Sequence, residues 1–439
     1  YMTYHLTRKP ISVVKSVLHQ NCSALTPPPD TADANTLLGA LDSAFLFSYA
    51  AAMFVSGMIA ERVDLRYFLS FGMLVSAIFC YLFGLGRTYS IHNISYYLLV
   101  QVRAGIAQTT GWPGTVAIVG KWFGNSKKGL IFGIWNSHTS LGNILGTIMA
   151  AEYVDSDWSL SFMYPGLVMG VVGAVVWLFL APEPRLVGLA AALNTRNSVS
   201  EWRYLGTTSF LNYYATERTS LLRAPSESAV SLSRALSIPG VLEFSLSLFF
   251  AKLVSYTFLY WLPSYIRYTS GKMLISSLLS TVFDAGGVVG AVLAGLVADC
   301  SGCPALVCVA FYSLCLFIYQ SWGASSYVLN VVLLILTGMM VNGPYALITT
   351  AVSAELGTHS SLAGNSRALA TVTAIIDGTG SVGAAIGPML AGVVSSHSWT
   401  HVFYMLIGCN FMALFLLLRS VLGHTFVTYI FFFFFFSCS

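Results

Sequence analysis

The sequence predicts an all-α membrane protein built as two six-helix halves. Three observations carry that expectation: a hydropathy too high for a soluble globule, apolar runs of bilayer-spanning length, and an internal repeat across one long polar segment. Of 439 residues, 56% are hydrophobic and only 9% charged, with a mean hydropathy of +0.74. So few polar side chains cannot coat a chain of this size, and a bilayer must act as its solvent. A hydrocarbon layer of about 30 Å is crossed by a helix of roughly 17–25 residues. Runs of that kind occur at 37–60, 67–86, 95–119, 129–150, 161–181, 243–266, 274–298, 304–322, 327–354, 368–394 and 400–419. These are eleven spans, and "YMTYHL" before Arg8 reads as the tail of a truncated twelfth.

The long polar segment separates an N-terminal half, 1–181, from a C-terminal half, 241–422, through a central linker, 182–240. An atypical Phe-rich tail, 423–439, follows and is given no function. The halves echo one another. "GNSKKG" at 124–129 matches "GNSRAL" at 364–369, "SLGNILG" at 140–146 matches "SVGAAIG" at 381–387, and the Gly57 to Glu61 spacing matches Gly295 to Asp299. Three matches in one order at offsets of 238 to 241 predict a duplication related by a pseudo-two-fold axis along the membrane normal.

Orientation follows from the excess of Lys and Arg in cytosolic loops. Setting the central linker aside, one group of loops carries seven basic residues (Arg62, Arg66, Lys121, Lys127, Lys128, Arg367, Arg419). The other carries four (Lys15, Arg87, Arg267, Lys272). The linker is therefore expected in the cytosol. Two Asn-X-Ser sequons, at Asn21 and Asn93, then fall on the opposite side, and Asn21 is the better glycosylation candidate because Asn93 sits in a short loop.

Composition also excludes. A net charge of +4 offers no polybasic face, so no nucleic-acid partner is expected. The eight cysteines lie mostly in apolar spans, and the lone Cys300-X-X-Cys303 pair lacks the further ligands of a zinc site, so no metal or cofactor is expected. Asp284 and Asp377 look too isolated for a membrane enzyme, although Asp377 could gate.

Four basic residues stand in or beside apolar spans: Arg8, Lys9, Arg103 and Lys252. A charge at the bilayer centre costs about 2.5–3.5 kcal/mol on insertion scales, so an unpaired one needs a reason. Arg8 and Lys9 point about 100° apart on one helix and suit a dianion, with a guanidinium fork beside a point charge. The competing reading is that the pair snorkels to lipid headgroups at a helix end. Lys252 lies deep in "SLFFAKLVSYTFLYWLPSYI" with no acidic residue close by along its helix, and reads as a cavity lysine. Arg103 is expected to pack helices or gate, and His138, beside Trp135 and Asn136, reads either as a structural histidine or as a donor to bound phosphate. Gly105, Gly111, Gly142 and Gly146 are expected to let helices approach closely.

Taken together, "TYHLTRKPISVVKS", "GMIAERVDLR", "QTTGWPG", "KWFGNSKKG", "WNSHTSLGN" and "YWLPSYI" resemble the organophosphate:phosphate antiporters of the major facilitator superfamily. The likeness is strongest to their eukaryotic sugar-phosphate exchanger branch, solute carrier family 37. It runs from Tyr4 to about Arg419. The resemblance implies a major facilitator fold that exchanges a sugar phosphate such as glucose 6-phosphate for inorganic phosphate, largely in the endoplasmic reticulum membrane. It makes Arg8 a principal phosphate ligand and Lys9 the adjoining basic residue. Trp112, Pro113, Glu61, Arg62, Arg66 and Asp299 fall in its gating or helix-packing motifs. Two positions depart. A second ligand arginine, six residues before the tryptophan of W-x-P-x-Y, is replaced by Ser255, with Lys252 almost one turn earlier, and His138 stands three rather than four residues after Trp135.

The mechanism expected is that substrate phosphate bridges Arg8 and Lys252 across a midplane cavity, cancelling charge and letting the halves rock. The alternatives are a carrier for another organic anion and a non-transporting receptor or scaffold of the same fold.

Overall fold

The computed structural model describes residues 1–20, 31–60, 62–123, 128–187, 232–270, 273–301, 315–323, 326–356 and 368–436. No strand occurs among them. The first span is α1 (Met2–Arg8) followed by α2 (Pro10–Gln20). Pro10 has no N–H to continue the helical ladder, and the Ser12 hydroxyl donates to the Lys9 carbonyl at 2.8 Å just past the break. Then come α3 (Thr31–Ala60) and α4 (Leu65–Thr88), with α5 (Ile94–Gln108) and α6 (Gly111–Phe123) forming one bent span. The first half closes with α7 (Lys128–Tyr153) and α8 (Leu160–Phe179). After the central segment follow α9 (Val241–Ser270), α10 (Met273–Ser301), α11 (Cys315–Trp322), α12 (Tyr327–Leu347), α13 (Ala368–Ser395) and α14 (Trp399–Phe436). Eight of the described helices are long and apolar enough to cross a membrane, and the protein is an integral membrane protein of two six-helix halves.

One detail departs from expectation. The tail assigned to 423–439 is not set apart, because α14 runs through that border to Phe436 in a stretch without glycine beyond Gly423 and without proline. The run at 304–322 and most of the central linker lie largely outside the described residues.

The halves meet along two seams, α3 on α13 and α7 on α10. The repeat explains why there are two. It aligns α3 with α10 and α7 with α13, so a two-fold operation turns one seam into the other. Each seam depends on small residues. A Cβ on Gly133 of α7 would come within 2.6 Å of the Ala291 carbonyl on α10, and the Ser43 hydroxyl donates to the Ala385 carbonyl at 3.0 Å from α3 to α13. Within the first half, α1 lies on α7 at Gly142 and Gly146, where a Cβ on Gly146 would stand 2.7 Å from the Leu6 carbonyl. That approach brings the Arg8–Lys9 end of α1 into the interior.

Candidate substrate site

Arg8 is 5% exposed and Lys9 1%, so neither snorkels to headgroups. The two side chains have different surroundings. Arg8 Nε donates to Gln108 Oε1 at 2.5 Å. The amide is held in turn as its Nε2 donates to Ser76 Oγ at 2.9 Å and Thr7 Oγ1 at 3.2 Å. The guanidinium carbon sits 4.8 Å from the centre of the Tyr49 ring and 5.4 Å from that of Phe45, geometry suited to cation–π attraction. Its Nη2 is buried with no hydrogen-bond partner. Among the described residues, Arg8 forms no ion pair.

The buried lysines differ from it. Lys9 Nζ donates to the Leu259 carbonyl at 3.0 Å and lies 3.8 Å from Asp284. Lys252 Nζ is 2.5 Å from Asp377 Oδ1 and also donates to Ser381 Oγ at 3.1 Å. Lys15 pairs with Asp42 and lies 4.4 Å from the centre of the Trp261 ring. Three expectations are corrected here. Lys252 is not a bare cavity cation, because its partner comes from another helix. Asp284 and Asp377 are not isolated. Lys15 is not a loop residue but a fully buried one, which leaves the positive-inside comparison at seven against three. Lys15 was missed, yet it stands seven residues after Arg8, two turns along the same face.

Arg8 and Lys252 do not meet directly. Between them stands Tyr49 of α3, whose hydroxyl donates to Asp377 Oδ2 at 3.3 Å while its ring faces Arg8. Tyr256 and Tyr345 flank the ammonium of Lys252, each 5.9 Å away. The result is a buried path from the guanidinium of one half to the ion pair of the other.

Two small cavities adjoin these groups. One of about 30 Å³ is lined by Arg8, Gln108, Ser76 and Asp42. The other, about 20 Å³, lies between the halves and is lined by Asn136, Asn143, Asp284 and Asn342. Each has room for about a water or two. Both are far smaller than the cavities that hold small organic ligands.

His138 turns its Nδ1 to the Trp135 carbonyl of its own helix and packs 4.5 Å from Trp135 and 4.8 Å from Tyr1. It belongs to an aromatic cluster with Trp112, itself 5.4 Å from Trp135, and it lines neither cavity. Pro113 is the third residue of α6, within the first turn where proline costs little. Arg62 donates to the Met58 carbonyl at 2.6 Å, capping α3, and the Arg66 guanidinium stacks 5.2 Å from the Tyr67 ring. Asp299 is exposed near the end of α10. Arg103 is corrected: it is exposed on the outward face of α5 with Leu99 and Ile106, not packed between helices. Glu61, Asn21 and Cys303 lie outside the described residues. The other sequon asparagine, Asn93, caps α5 by accepting from the Ser95 amide at 2.9 Å. Asn136, Ser140 and Asn143, spaced to share one face of α7, were not singled out, although polar residues at i, i+4 and i+7 in an apolar span are a readable signal.

A bundle of two six-helix halves with buried, charged side chains along its seam defines a polytopic membrane carrier. The major facilitator superfamily model matches residues 24–372. The glucose-6-phosphate exchanger SLC37A2 of Danio rerio is 49% identical over 444 residues, covering 96% of this chain and 90% of that one. The Homo sapiens protein of the same name is 48% identical with the same coverage, and SLC37A1 of Mus musculus, also named a glucose-6-phosphate exchanger, is 43% identical. A crystal structure of a D-xylose-proton symporter superposes with a TM-score of 0.63 over 95% of each chain at 11% identity, a likeness of fold alone. The chain belongs to the major facilitator superfamily, in its sugar-phosphate exchanger branch. It is a transporter and not an enzyme.

Proposed function

We propose that this carrier exchanges a phosphorylated sugar, such as glucose 6-phosphate, for inorganic phosphate by alternating access. The observation that carries the reading is Arg8: buried, held by Gln108, unpaired with any carboxylate among the described residues, and left with an unpartnered Nη2. A buried polar group without a partner is costly, and a buried charge more so. The guanidinium fork is the natural complement of two phosphate oxygens.

The three buried lysines near the seam are each paired with an aspartate. Arg8 is the cation that substrate must satisfy. An empty carrier closing over it buries a guanidinium that has Gln108 and two rings but no counter-charge, and a loaded one supplies that counter-charge, so exchange is favoured over net flux. Lys9 faces Asp284 and Lys252 faces Asp377, so either reaches phosphate only by leaving its partner. In this reading they guard the seam. Tyr49, touching both Arg8 and Asp377, is where phosphate on one half is felt by the other. His138 orders the aromatic cluster beside α1.

The same reading places the chain in the endoplasmic reticulum membrane, with halves at 1–181 and 241–422, the central loop in the cytosol, lipid as its surroundings, no nucleic-acid partner, and Asn21 as the sequon open to glycosylation. It rests on the resemblance of the motifs and the charge bias of the loops.

Uptake of labelled glucose 6-phosphate into proteoliposomes tests it. Uptake that requires internal phosphate supports an antiporter. Equal uptake into phosphate-free vesicles overturns exchange, and no uptake of glucose 6-phosphate or phosphate by folded protein overturns the substrate class.

A further inference from the structure

The cavity between the halves has a chemistry unlike that around Arg8. Its wall from the first half includes the face of α7 carrying Asn136, Ser140 and Asn143, with His5 of α1, and its wall from the second half includes Ser255 of α9 and Asn342 of α12. Apart from His5 these are neutral amides and hydroxyls. Its charged group, Asp284, is already engaged by Lys9 and by the Asn143 amide at 2.9 Å.

Asn136 is 4% exposed, and its Oδ1 is buried with no hydrogen-bond partner. Asn342 Oδ1 accepts from Ser255 Oγ at 2.7 Å, a bond that orients its amide. The floor is Gly287 of α10, where a Cβ would stand 2.7 Å from Asn342 Nδ2 and 3.0 Å from Ser140 Oγ. The space exists because that side chain is absent.

We infer that this cavity is the subsite that reads the hydroxyl groups of a phosphorylated polyol, with Asn136 and Asn342 as its specificity-determining residues. The inference rests on the exchange reading above and deepens it. Amides both donate and accept, as each hydroxyl of a sugar does. An unfilled buried acceptor rejects a ligand that cannot donate to it. α1 divides the two chemistries. Arg8 reaches the other pocket, walled by α3, α4, α5 and α8 with Tyr260 of α9, while His5, one turn earlier, contacts Asn143 at 3.3 Å and lines the amide cavity. Because α7 and α9, α10 and α12 belong to different halves, the subsite is complete only when the halves close. A sugar phosphate would therefore be sensed at both ends, and inorganic phosphate at one.

The test uses the full chain in phosphate-loaded liposomes and reads inhibition of phosphate/phosphate exchange by glucose 6-phosphate and by butyl phosphate, an ester with an apolar tail. The expected result is that glucose 6-phosphate competes better, and that Asn136→Leu and Gly287→Ala each shrink this preference by about two- to tenfold, the worth of one neutral hydrogen bond. Butyl phosphate competing as well as glucose 6-phosphate in the unaltered protein would overturn the subsite without any variant. So would preservation of the full preference in both variants. Absence of phosphate/phosphate exchange in the unaltered protein would instead overturn the exchange reading on which the subsite rests.

Discussion

The guanidinium of Arg8 lies 4.8 Å from the centre of the Tyr49 ring, and the hydroxyl of that same tyrosine donates across the seam to Asp377. One side chain thus supports the cation of the first half and touches the ion pair of the second. The two contacts separate by mutation. Tyr49→Phe keeps the ring beneath Arg8 and loses the bond to Asp377. Tyr49→Ala loses both. Phosphate KM is expected to rise more in the alanine variant, by a margin of about 0.5–2 kcal/mol for the cation–π contact. Equal KM values in the two variants would show that the ring does nothing for Arg8.

The Lys252–Asp377 pair is buried at both ends, with side-chain exposures of 2% and 4%. Removing one member leaves the other charged and alone, at a cost of about 3–5 kcal/mol. Lys252→Met and Asp377→Leu are each expected to lower the unfolding temperature in detergent, and the double variant to recover most of the loss. A double variant less stable than either single one would contradict the pairing.

Individual glycines on the two seams differ in how much room they leave. A methyl on Gly133 would strike the Ala291 carbonyl at 2.6 Å, whereas one on Gly39 would meet the Pro388 carbonyl at 3.4 Å, ordinary contact. Gly133→Ala is expected to slow exchange while phosphate binding in the open conformation persists. Gly39→Ala is expected to leave exchange within about twofold, as a tolerated small addition does. Exchange time courses beside equilibrium phosphate binding check both.

His138 turns a ring nitrogen to its own helix and packs among aromatic rings. His138→Ala should therefore reduce phosphate exchange by about an order of magnitude less than Arg8→Ala, because it removes packing and not a charge-assisted bond. Comparable losses in the two variants would return His138 to the binding site.

Most of the spans, and the repeat, were legible because apolar length and glycine spacing are local properties of the chain. The burial of Arg8 was legible for the same reason: an arginine amid apolar residues stands out wherever it folds. Its distinction from Lys252 was not. Lys252 and Asp377 are 125 residues apart, and a search along one helix for an acidic neighbour cannot find a partner on another. Lys15 was hidden by the opposite error, since a lysine near the expected end of a span reads as loop until Asp42 is seen against it. Arg103 was misplaced because sequence shows that a charge lies in a span but not which face carries it. The asparagines of α7 carried a periodic signal that neutrality made easy to pass over.

The central claim is that the unpaired guanidinium of Arg8 holds the phosphate. Its most direct test is phosphate/phosphate exchange by Arg8→Gln in liposomes, with folding verified by size-exclusion profile and unfolding temperature. Loss of a buried charge-assisted contact worth about 2–5 kcal/mol predicts a fall of roughly thirtyfold or more. Exchange within about twofold of the unaltered protein, in a variant equally well folded, would contradict it.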